Sequence, residues 1–338
     1  MKPLAGYDVC KSFIAVHSPD GSQTNYQMKL TIIRGAGVSS AGTLYLDNKS
    51  TNWPNDIRFT KVDGVTLLDF WREESDATDG TWWIEVDSIP DPDDFTGYVH
   101  IGDADAADAS NGDNTFLFHD HFPGEALDTT TKWVVENGTP TVASSICTLK
   151  EEGGVHEIIY TKPTDFPTNR AMRVCLKSKH FDVGTYYESI EWTDAVHIGH
   201  VLHFAHPTGG YQGTVRTYDG GEGVVYDITN WVADTYSIVD IIRNGSTNVK
   251  WIFGDTEVFT STTHLADTYS GHLRYIAYAA NNAELDIDWI LVRVCTLNPP
   301  TWGAWGEWET DGGGAAPTRN KLLSFSREPL KRMVFHKR

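Results

Sequence analysis

Two histidines separated by one residue, His119 and His121, have the spacing that places two imidazoles on one face of a strand. A metal ion such as zinc takes imidazole ligands, but it needs a third ligand, and the sequence names none. We weigh this metal site against histidines that are exposed or hydrogen-bonded. A second group recurs every third residue, so on a strand its members alternate between the two faces and form no single site: His197, His200, His203 and His206.

Paired carboxylates are a second candidate chemistry, because a retaining glycosidase holds two of them about 5–5.5 Å apart. Glu188 and Glu191 are three residues apart, so on a strand they point to opposite faces. Asp286 and Asp288 share a face, but we expect them at solvated outward positions of a closing strand. The sequence therefore predicts no catalytic residue.

Calcium is the cofactor that acidic loops most readily suggest. Asp103 and Asp105 have the spacing of two calcium ligands, yet the glycine and the distal glutamate of an EF-hand loop are missing. We therefore predict no cofactor, and Ca²⁺ has no support beyond this spacing.

Tryptophans give a stronger indication of ligand contact than the titratable residues do. Trp82 and Trp83 are adjacent, so in a strand one packs inward and the other faces out. Trp302, Trp305 and Trp308 follow one another at intervals of three near the end of the globular part. We predict that Trp82 and these three rings stack on sugars or contact a neighbouring subunit, the alternative being that they cover the end of a domain.

The elements that must position these side chains are β-strands. Apolar and polar residues alternate over 26–32, 81–86 and 284–292, and turn residues such as Asp63-Gly64 separate such runs. The four cysteines are widely spaced and mostly lie in apolar runs, so we expect buried thiols rather than a disulfide framework. The sequence predicts an all-β protein.

Charge limits the classes of partner. The 338 residues carry a formal net charge of −19, which disfavours a body that wraps nucleic acid or lies on anionic lipid. No stretch reaches the about 18 apolar residues of a membrane span, and the first residues do not form a secretory signal. Nucleic acid and membrane are not expected partners.

The charge is divided along the chain. A glycine-rich spacer at 309–317 precedes residues 318–338, which carry seven Lys or Arg and one Glu. The tail therefore has a net charge of +6, and the preceding 317 residues have −25. We expect an arm that docks on a second copy, with nucleic-acid binding and a disordered tail as alternatives. The expected arm contacts are Leu322, Leu323, Phe325, Arg327, Lys331, Arg332 and Phe335.

Two parts of the chain resemble known families. The segments NDIRF at 55–59, WWIEVDSIP at 82–90 and SNGDNTF at 110–116 resemble an uncharacterised β-sandwich family of archaeal, bacterial and viral surface or virion proteins. The segments FHDHFPG at 118–124 and DIDWILVR at 286–293 resemble a concanavalin A-like lectin/glucanase (LamG-like) jelly roll. Enzymes of that fold carry an E-x-D-x-x-E arrangement, which this sequence lacks.

The resemblance implies two β-sandwich domains in tandem. We divide the chain into an N-terminal segment (1–23), a β-sandwich (24–113), a concanavalin-like jelly roll (114–308), the spacer (309–317) and the basic arm (318–338). A run of small and acidic residues at 102–113 has no large apolar side chain and is typical of a linker.

These observations favour a non-enzymatic structural protein of a virion or another extracellular assembly, such as a surface, decoration or tail protein of a phage or archaeal virus. We expect it to reach the virion or the exterior without a classical signal peptide. Its partners would be copies of itself or other virion subunits, and a cell-surface glycan bound through the jelly roll. The alternatives are a glycan-active enzyme, either a hydrolase or a lyase, and a free carbohydrate-binding adhesin.

Overall fold

The computed structural model of the chain describes residues 2–151, 155–162, 166, 169–178, 187–193, 199–205, 212–218, 225–228, 232, 234–245, 248–262, 272–278 and 284–310. The predicted arm lies outside the described residues, and so do its expected contacts: Leu322, Leu323, Phe325, Arg327, Lys331, Arg332 and Phe335. The arm therefore stays a prediction.

The described residues form 24 strands and one short helix, so the predicted all-β class is confirmed. The first strands are β1 (Val9–Val16), β2 (Gln23–Ile33), β3 (Thr43–Tyr45), β4 (Arg58–Lys61), β5 (Phe70–Ser75), β6 (Asp79–Ile89) and β7 (Phe95–Ile101), and they are followed by the helix α1 (Gly112–Thr115). The next are β8 (Phe118–Asp120), β9 (Trp133–Asn137), β10 (Thr141–Ala143), β11 (Ile146–Lys150), β12 (Glu157–Thr161), β13 (Arg170–Ser178), β14 (Tyr187–Thr193), β15 (Gly199–Ala205) and β16 (Gln212–Tyr218). The last are β17 (Val225–Ile228), β18 (Ser237–Asn244), β19 (Asn248–Phe253), β20 (Thr256–Ser261), β21 (His272–Tyr278), β22 (Glu284–Val294), β23 (Thr301–Trp305) and β24 (Glu309–Thr310).

These strands form four sheets. The first sandwich consists of a five-stranded sheet, β23-β1-β7-β4 with β24 on β1, and a four-stranded sheet, β3-β2-β6-β5. The second is a jelly roll with an eight-stranded sheet, β10-β11-β22-β13-β18-β19-β20 with β8 on β22, and a seven-stranded sheet, β17-β16-β15-β14-β21-β12-β9. Apart from β3 against β2, the pairs with a stated direction are antiparallel. In such sheets apolar and polar residues alternate along the strands.

The first sandwich is closed by both ends of the described chain. β1 pairs with β23 and β24, with Phe13 opposite Trp305 and Cys10 opposite Glu309. This pairing differs from our division, which gave 9–16 to an N-terminal segment and 301–308 to the jelly roll. Strand pairing between residues almost 300 positions apart leaves no local signal in the sequence. Nothing here tests whether the predicted domains fold independently, so the division itself stays a prediction.

The core of the jelly roll lies between its two sheets. Trp133, Ile190 and Trp192 from the seven-stranded sheet pack with Met172 and Trp251 from the eight-stranded sheet, and all five are fully buried. The tryptophans among them bury about 150–250 Å² each, so they contribute a large part of the buried apolar surface of this core.

The two sandwiches pack against each other through the outer faces of the four-stranded and eight-stranded sheets. Trp71 and Trp83 of the first contact Cys175, Trp289 and Leu291 of the second, and we call this contact the junction. Trp71 and Trp289 meet edge to face, with ring centroids 5.3 Å apart. The sheets are therefore stacked in the order five-, four-, eight- and seven-stranded.

The cysteines are free and buried, as predicted: Cys10, Cys147, Cys175 and Cys295. Burial raises the pKa of the Cys175 thiol to about 12. Among the described residues, the structure contains no helix with the length and hydropathy needed to cross a bilayer.

Candidate functional site

The seven-stranded sheet has one face in the jelly-roll core and one face turned away from it. β14 is its central strand. Ile190 and Trp192 of β14 belong to the core, so Glu191 between them lies on the outer face. Glu191 is nevertheless 93% buried, since only 7% of its surface is exposed. A carboxylate at the centre of a sheet, this strongly enclosed, is unusual outside functional or paired positions.

The strand register defines the positions around Glu191. Val201 of β15 and Arg274 of β21 lie directly opposite it, and Tyr160 of β12 lies opposite Arg274. Arg216 of β16 lies opposite Val201 on the other side. This row crosses five neighbouring strands, and four of its five positions are charged or tyrosine residues.

A second row carries two more tyrosine positions. Tyr187 of β14 lies opposite Tyr278 of β21, and the two-residue period of a strand gives Tyr187 the same face as Glu191. Glutamate, arginine and tyrosine are residue types that bind polyhydroxylated ligands, by hydrogen bonds and by stacking. We call this surface the outer face.

The predicted carboxylate pairs are placed differently. Glu188 and Glu191 occupy opposite faces of β14, as expected from their spacing. Asp286 is not solvated as we expected, because it is only 3% exposed. It accepts a hydrogen bond of 2.7 Å from the Thr148 hydroxyl and lies 3.3 Å from the Lys177 ammonium. Asp286 is therefore engaged in the structure of the eight-stranded sheet.

The His119 and His121 pair lies where the linker meets the jelly roll. His119 is 3% exposed, and its Nδ1 is 3.6 Å from Asp113 Oδ1, which also accepts a 2.8 Å bond from Lys132. Burial lowers the pKa of His119. His121 is exposed, with its ring centroid 5.4 Å from that of His119. In the part of the chain that the structure describes, no three side chains of the types that bind metals converge, so the metal site stays a prediction.

The linker sequence has a packing role at this point. Asn111 caps α1 by accepting a bond from Asn114, and the ring of His119 lies against Gly112 so closely that a Cβ there would be 2.3 Å from it. The other four histidines of the sequence analysis cannot be placed in a site. His197 and His206 lie outside the described residues, and so do the side chains of His200 and His203. At the calcium candidate, the Asp103 carboxylate accepts the Asp105 amide and closes a turn.

The prediction that Trp82 contacts a sugar or a neighbouring subunit is wrong. It is fully buried in the first core, where its ring lies 5.3 Å from that of Trp53, so it cannot contact a glycan. Trp83 lies on the other face of β6, but it is also buried, because the jelly roll covers that face at the junction. The alternation of inward and outward positions was predicted correctly, and the covering domain was not.

Trp302, Trp305 and Trp308 pack on the first sandwich rather than on the jelly roll. Their indole nitrogens donate to Lys29 O at 2.7 Å, to Ala41 O at 3.0 Å and to Asp47 Oδ2 at 3.0 Å. The three-residue spacing thus ties β23 and the following residues to the segment that contains β2 and β3. This arrangement agrees with the structural alternative for these rings, and their contact with a glycan or a subunit stays a prediction.

A buried ionic cluster at the junction was missed. Arg173 of β13 is paired with Glu73 and Asp240, which are buried, and with the more exposed Asp255. Burial alone would lower the pKa of Arg173, but the neighbouring carboxylates outweigh it and raise that pKa. Burial raises the pKa of Asp240, against the effect of Arg173 and Arg293. In the sequence these residues look like the solvated positions of amphipathic strands, so no local signal reveals the cluster.

One domain family matches part of the chain. Residues 53–136 match the model of a domain of unknown function, DUF2341. This match covers β4 to β7 and continues past residue 113 into β9, so it does not settle where the two sandwiches divide. None of the curated proteins matches the chain.

Solved structures align with about half of the chain. A structure from work on endo-acting O-glycanases of the human gut microbiota aligns with a TM-score of 0.44 and 12% identity, over 53% of this chain and 99% of that one. A β-1,3-glucanase from Mycobacterium marinum aligns with a TM-score of 0.40 and 16% identity, over 52% of this chain and 98% of that one. The carbohydrate recognition domain of Emp47p aligns with a TM-score of 0.41 and 13% identity, over 52% of this chain and 94% of that one. At such identities the likeness concerns the fold.

These structures correct one prediction. We expected the chain not to be an enzyme, but glycoside hydrolases recur among the structures that share its fold. The fold therefore gives no ground for that expectation, and it does not stand.

Proposed function

We propose that this protein recognises a glycan on the outer face of its jelly roll. The observation that carries the proposal is the position of Glu191, an enclosed carboxylate on the central strand of the sheet face that the first sandwich leaves uncovered. Carboxylates accept hydrogen bonds from sugar hydroxyls, and such charge-assisted bonds are stronger than neutral ones.

The surrounding positions support a glycan better than an apolar ligand. Arginine positions 216 and 274 and tyrosine positions 160, 187 and 278 fall in the rows around Glu191, and these residue types commonly bind sugars. Lectins and glucanases are among the proteins that share the fold, and the same face would serve binding alone or binding with cleavage.

A glycan array with the full chain tests this proposal. We expect at least one class of glycan to bind, and Glu191→Gln to weaken that binding about tenfold or more, because the neutral amide loses a charge-assisted hydrogen bond. Glu125→Gln, at an exposed glutamate outside the sheets, is the matched control. Binding that Glu191→Gln leaves unchanged, or no binding to any glycan, would contradict the proposal.

The same glycans distinguish binding from cleavage. Reducing ends released by the wild-type chain and lost in Glu191→Gln would identify a glycan-active enzyme whose catalysis depends on this carboxylate. Binding without release would identify a lectin-like recognition protein. Each result keeps the outer face as the site.

We also propose that the protein acts within an extracellular assembly such as a virion. The proposal rests on the charge of +6 in residues 318–338 against −25 in the rest of the chain, which makes one copy complementary to the next. Light scattering should give a larger mass for the full chain than for a chain that ends at residue 317, and the difference should disappear at high salt. Equal masses of the two chains at low salt would overturn the proposed assembly.

A further inference from the structure

A cleft of about 490 Å³ opens beside the junction, on the opposite side of the jelly roll from the outer face. It runs along β2, where β3 pairs only with Thr31–Ile33, so that this edge of β2 has no strand partner at 26–29. Apolar groups line much of it, and the residues that matter below are Met28, Trp83, Arg173, Ile252, Arg293 and Trp302. Pockets between two packed domains are common ligand sites.

Arg173 at the floor of the cleft has its donors filled. Its Nε and Nη2 donate to the Glu73 carboxylate at 3.1 and 3.0 Å, and its Nη1 donates to Asp240 at 2.5 Å. Asp255 lies 3.3 Å away and is itself bound by Lys29 at 2.8 Å. Arg173 therefore holds the cleft together and has little left for a ligand.

Arg293 is the guanidinium with unmet hydrogen-bonding capacity. It stacks on the Trp83 ring at 5.1 Å, its Nη2 is 3.7 Å from Asp240 Oδ1, and its Nη1 reaches the Val294 carbonyl at 3.5 Å. Its Nε is buried and has no hydrogen-bond partner among the described residues. Nη2, in contrast, is not enclosed and makes no hydrogen bond among the described residues, so a ligand acceptor in the cleft can bind it.

The charges of the cluster, in contrast, are balanced. Three cations, Lys29, Arg173 and Arg293, face three carboxylates, Glu73, Asp240 and Asp255. A ligand with a net charge would upset this balance in a poorly hydrated site. A ligand therefore has to supply a hydrogen-bond acceptor to the cleft, and it does not have to supply a charge.

We infer that the cleft is a second ligand site, for a neutral N-acetylated sugar that brings its acetamido carbonyl to Arg293. The acetamido group joins an acceptor oxygen to a methyl group, and the apolar lining around Met28 and Ile252 suits that methyl. The flat face of a sugar ring suits Trp302, whose indole nitrogen is already bound to Lys29 O. A cleft of about 490 Å³ has room for one or two sugar rings.

Calorimetric titration of the full chain with three sugars tests the inference. N-acetylglucosamine should bind about tenfold more tightly than glucose, because only it carries the acceptor. Glucuronate, which adds a charge instead, should bind no better than glucose. Equal affinity for N-acetylglucosamine and glucose, or preference for glucuronate, would overturn the inference.

Variants locate the site. Arg293→Met and Arg293→Lys should both remove the tenfold advantage of N-acetylglucosamine, and the lysine variant keeps the positive charge beside Asp240 in case the methionine variant fails to fold. Arg34→Met, at an exposed arginine away from the cleft, should keep the advantage. An advantage that survives in a folded Arg293→Lys chain would contradict the assignment.

The outcome is separable from the proposed glycan site. Glu191→Gln should leave the preference for N-acetylglucosamine unchanged, because Glu191 lies on the other sheet of the jelly roll. A preference that is lost in Glu191→Gln and kept in Arg293→Lys would assign the sugar to the outer face and overturn the second site.

Discussion

The outer faces of the two jelly-roll sheets differ in whether the first sandwich covers them. The eight-stranded sheet is covered by the first sandwich, and its outer face holds Trp289, Leu291 and the buried Arg173 cluster. The seven-stranded sheet carries Glu191 on a face that the first sandwich does not cover. Both faces mix polar and apolar residues in the sequence. The comparison teaches that similar polar positions serve packing on one side of this domain, whereas on the other side they form the face where we propose that a ligand binds.

The largest effect should come from removing the central cation of the junction. Arg173→Met leaves Glu73 and Asp240 buried without their cation, and breaking a buried pair in this way costs about 3–5 kcal/mol. Urea unfolding should show the loss as a lower midpoint. Lys150→Met, which removes a half-exposed pair with Glu284, should change stability by less than about 1 kcal/mol. Equal midpoints for the two variants would mean that the junction cluster is not stabilising.

Acid should weaken the covering sandwich through a buried histidine. His100 accepts the Leu4 amide at 2.9 Å, its Nε2 lies 2.9 Å from the Thr60 hydroxyl, and burial lowers its pKa to about 4. The unfolded chain gains a proton near its ordinary pKa of about 6.5 and the folded chain does not, so the free energy of unfolding falls as the pH drops from about 6.5 to about 4. The loss should reach about 3 kcal/mol.

Urea midpoints measured across this pH range check the prediction. His100→Gln should lack this part of the slope, and His17→Gln, at a half-exposed pair with Asp94, should retain it. A slope that persists unchanged in His100→Gln would assign the acid lability to other groups.

Thiol labelling should detect opening of the junction separately from opening of the jelly-roll core. Cys175 lies in the junction and Cys147 in the core, and burial raises the pKa of both thiols, so neither should react readily at pH 8 in the native protein. In chains that retain one of the two cysteines, Arg173→Met should speed labelling of Cys175 about tenfold more than that of Cys147. Equal acceleration would indicate that the two sandwiches open together.

The smallest effect should come from the tryptophans of β23. Trp305→Phe keeps an aromatic ring but loses the hydrogen bond to Ala41 O, which contributes about 1 kcal/mol. The urea midpoint should fall slightly, and glycan binding should not change. A loss of glycan binding with unchanged stability would restore the prediction that these rings contact the ligand.

Sequence patterns predicted the strands well because alternation is a local property. The alternation at 81–86 placed Trp82 and Trp83 on opposite faces of a strand, which the structure confirms. Their environments depend on a second domain that packs on one of those faces. That contact is made by residues more than 90 positions away, so an exposed tryptophan and a junction tryptophan look alike in the sequence.

Only part of the candidate site could be predicted from the sequence, for the same reason. The spacing of Glu188 and Glu191 excluded them as a pair on one strand face, but it gave no indication that Glu191 lies at the centre of a sheet. Val201 of β15 is only ten positions from Glu191, but Arg274 of β21 is 83 positions away, and pairing over that distance leaves no local signal in the sequence. The pairing of β1 with β23 was missed because it, too, joins distant segments.

Hydrogen–deuterium exchange with and without a glycan selected on the array tests the central claim most directly. The account predicts that bound glycan slows exchange in β14, β15 and β21, the strands of the outer face around Glu191, and that Glu191→Gln abolishes this protection. Protection confined to the first sandwich or to the junction, with β14 unaffected, would contradict the claim that the uncovered face of the jelly roll is the recognition site.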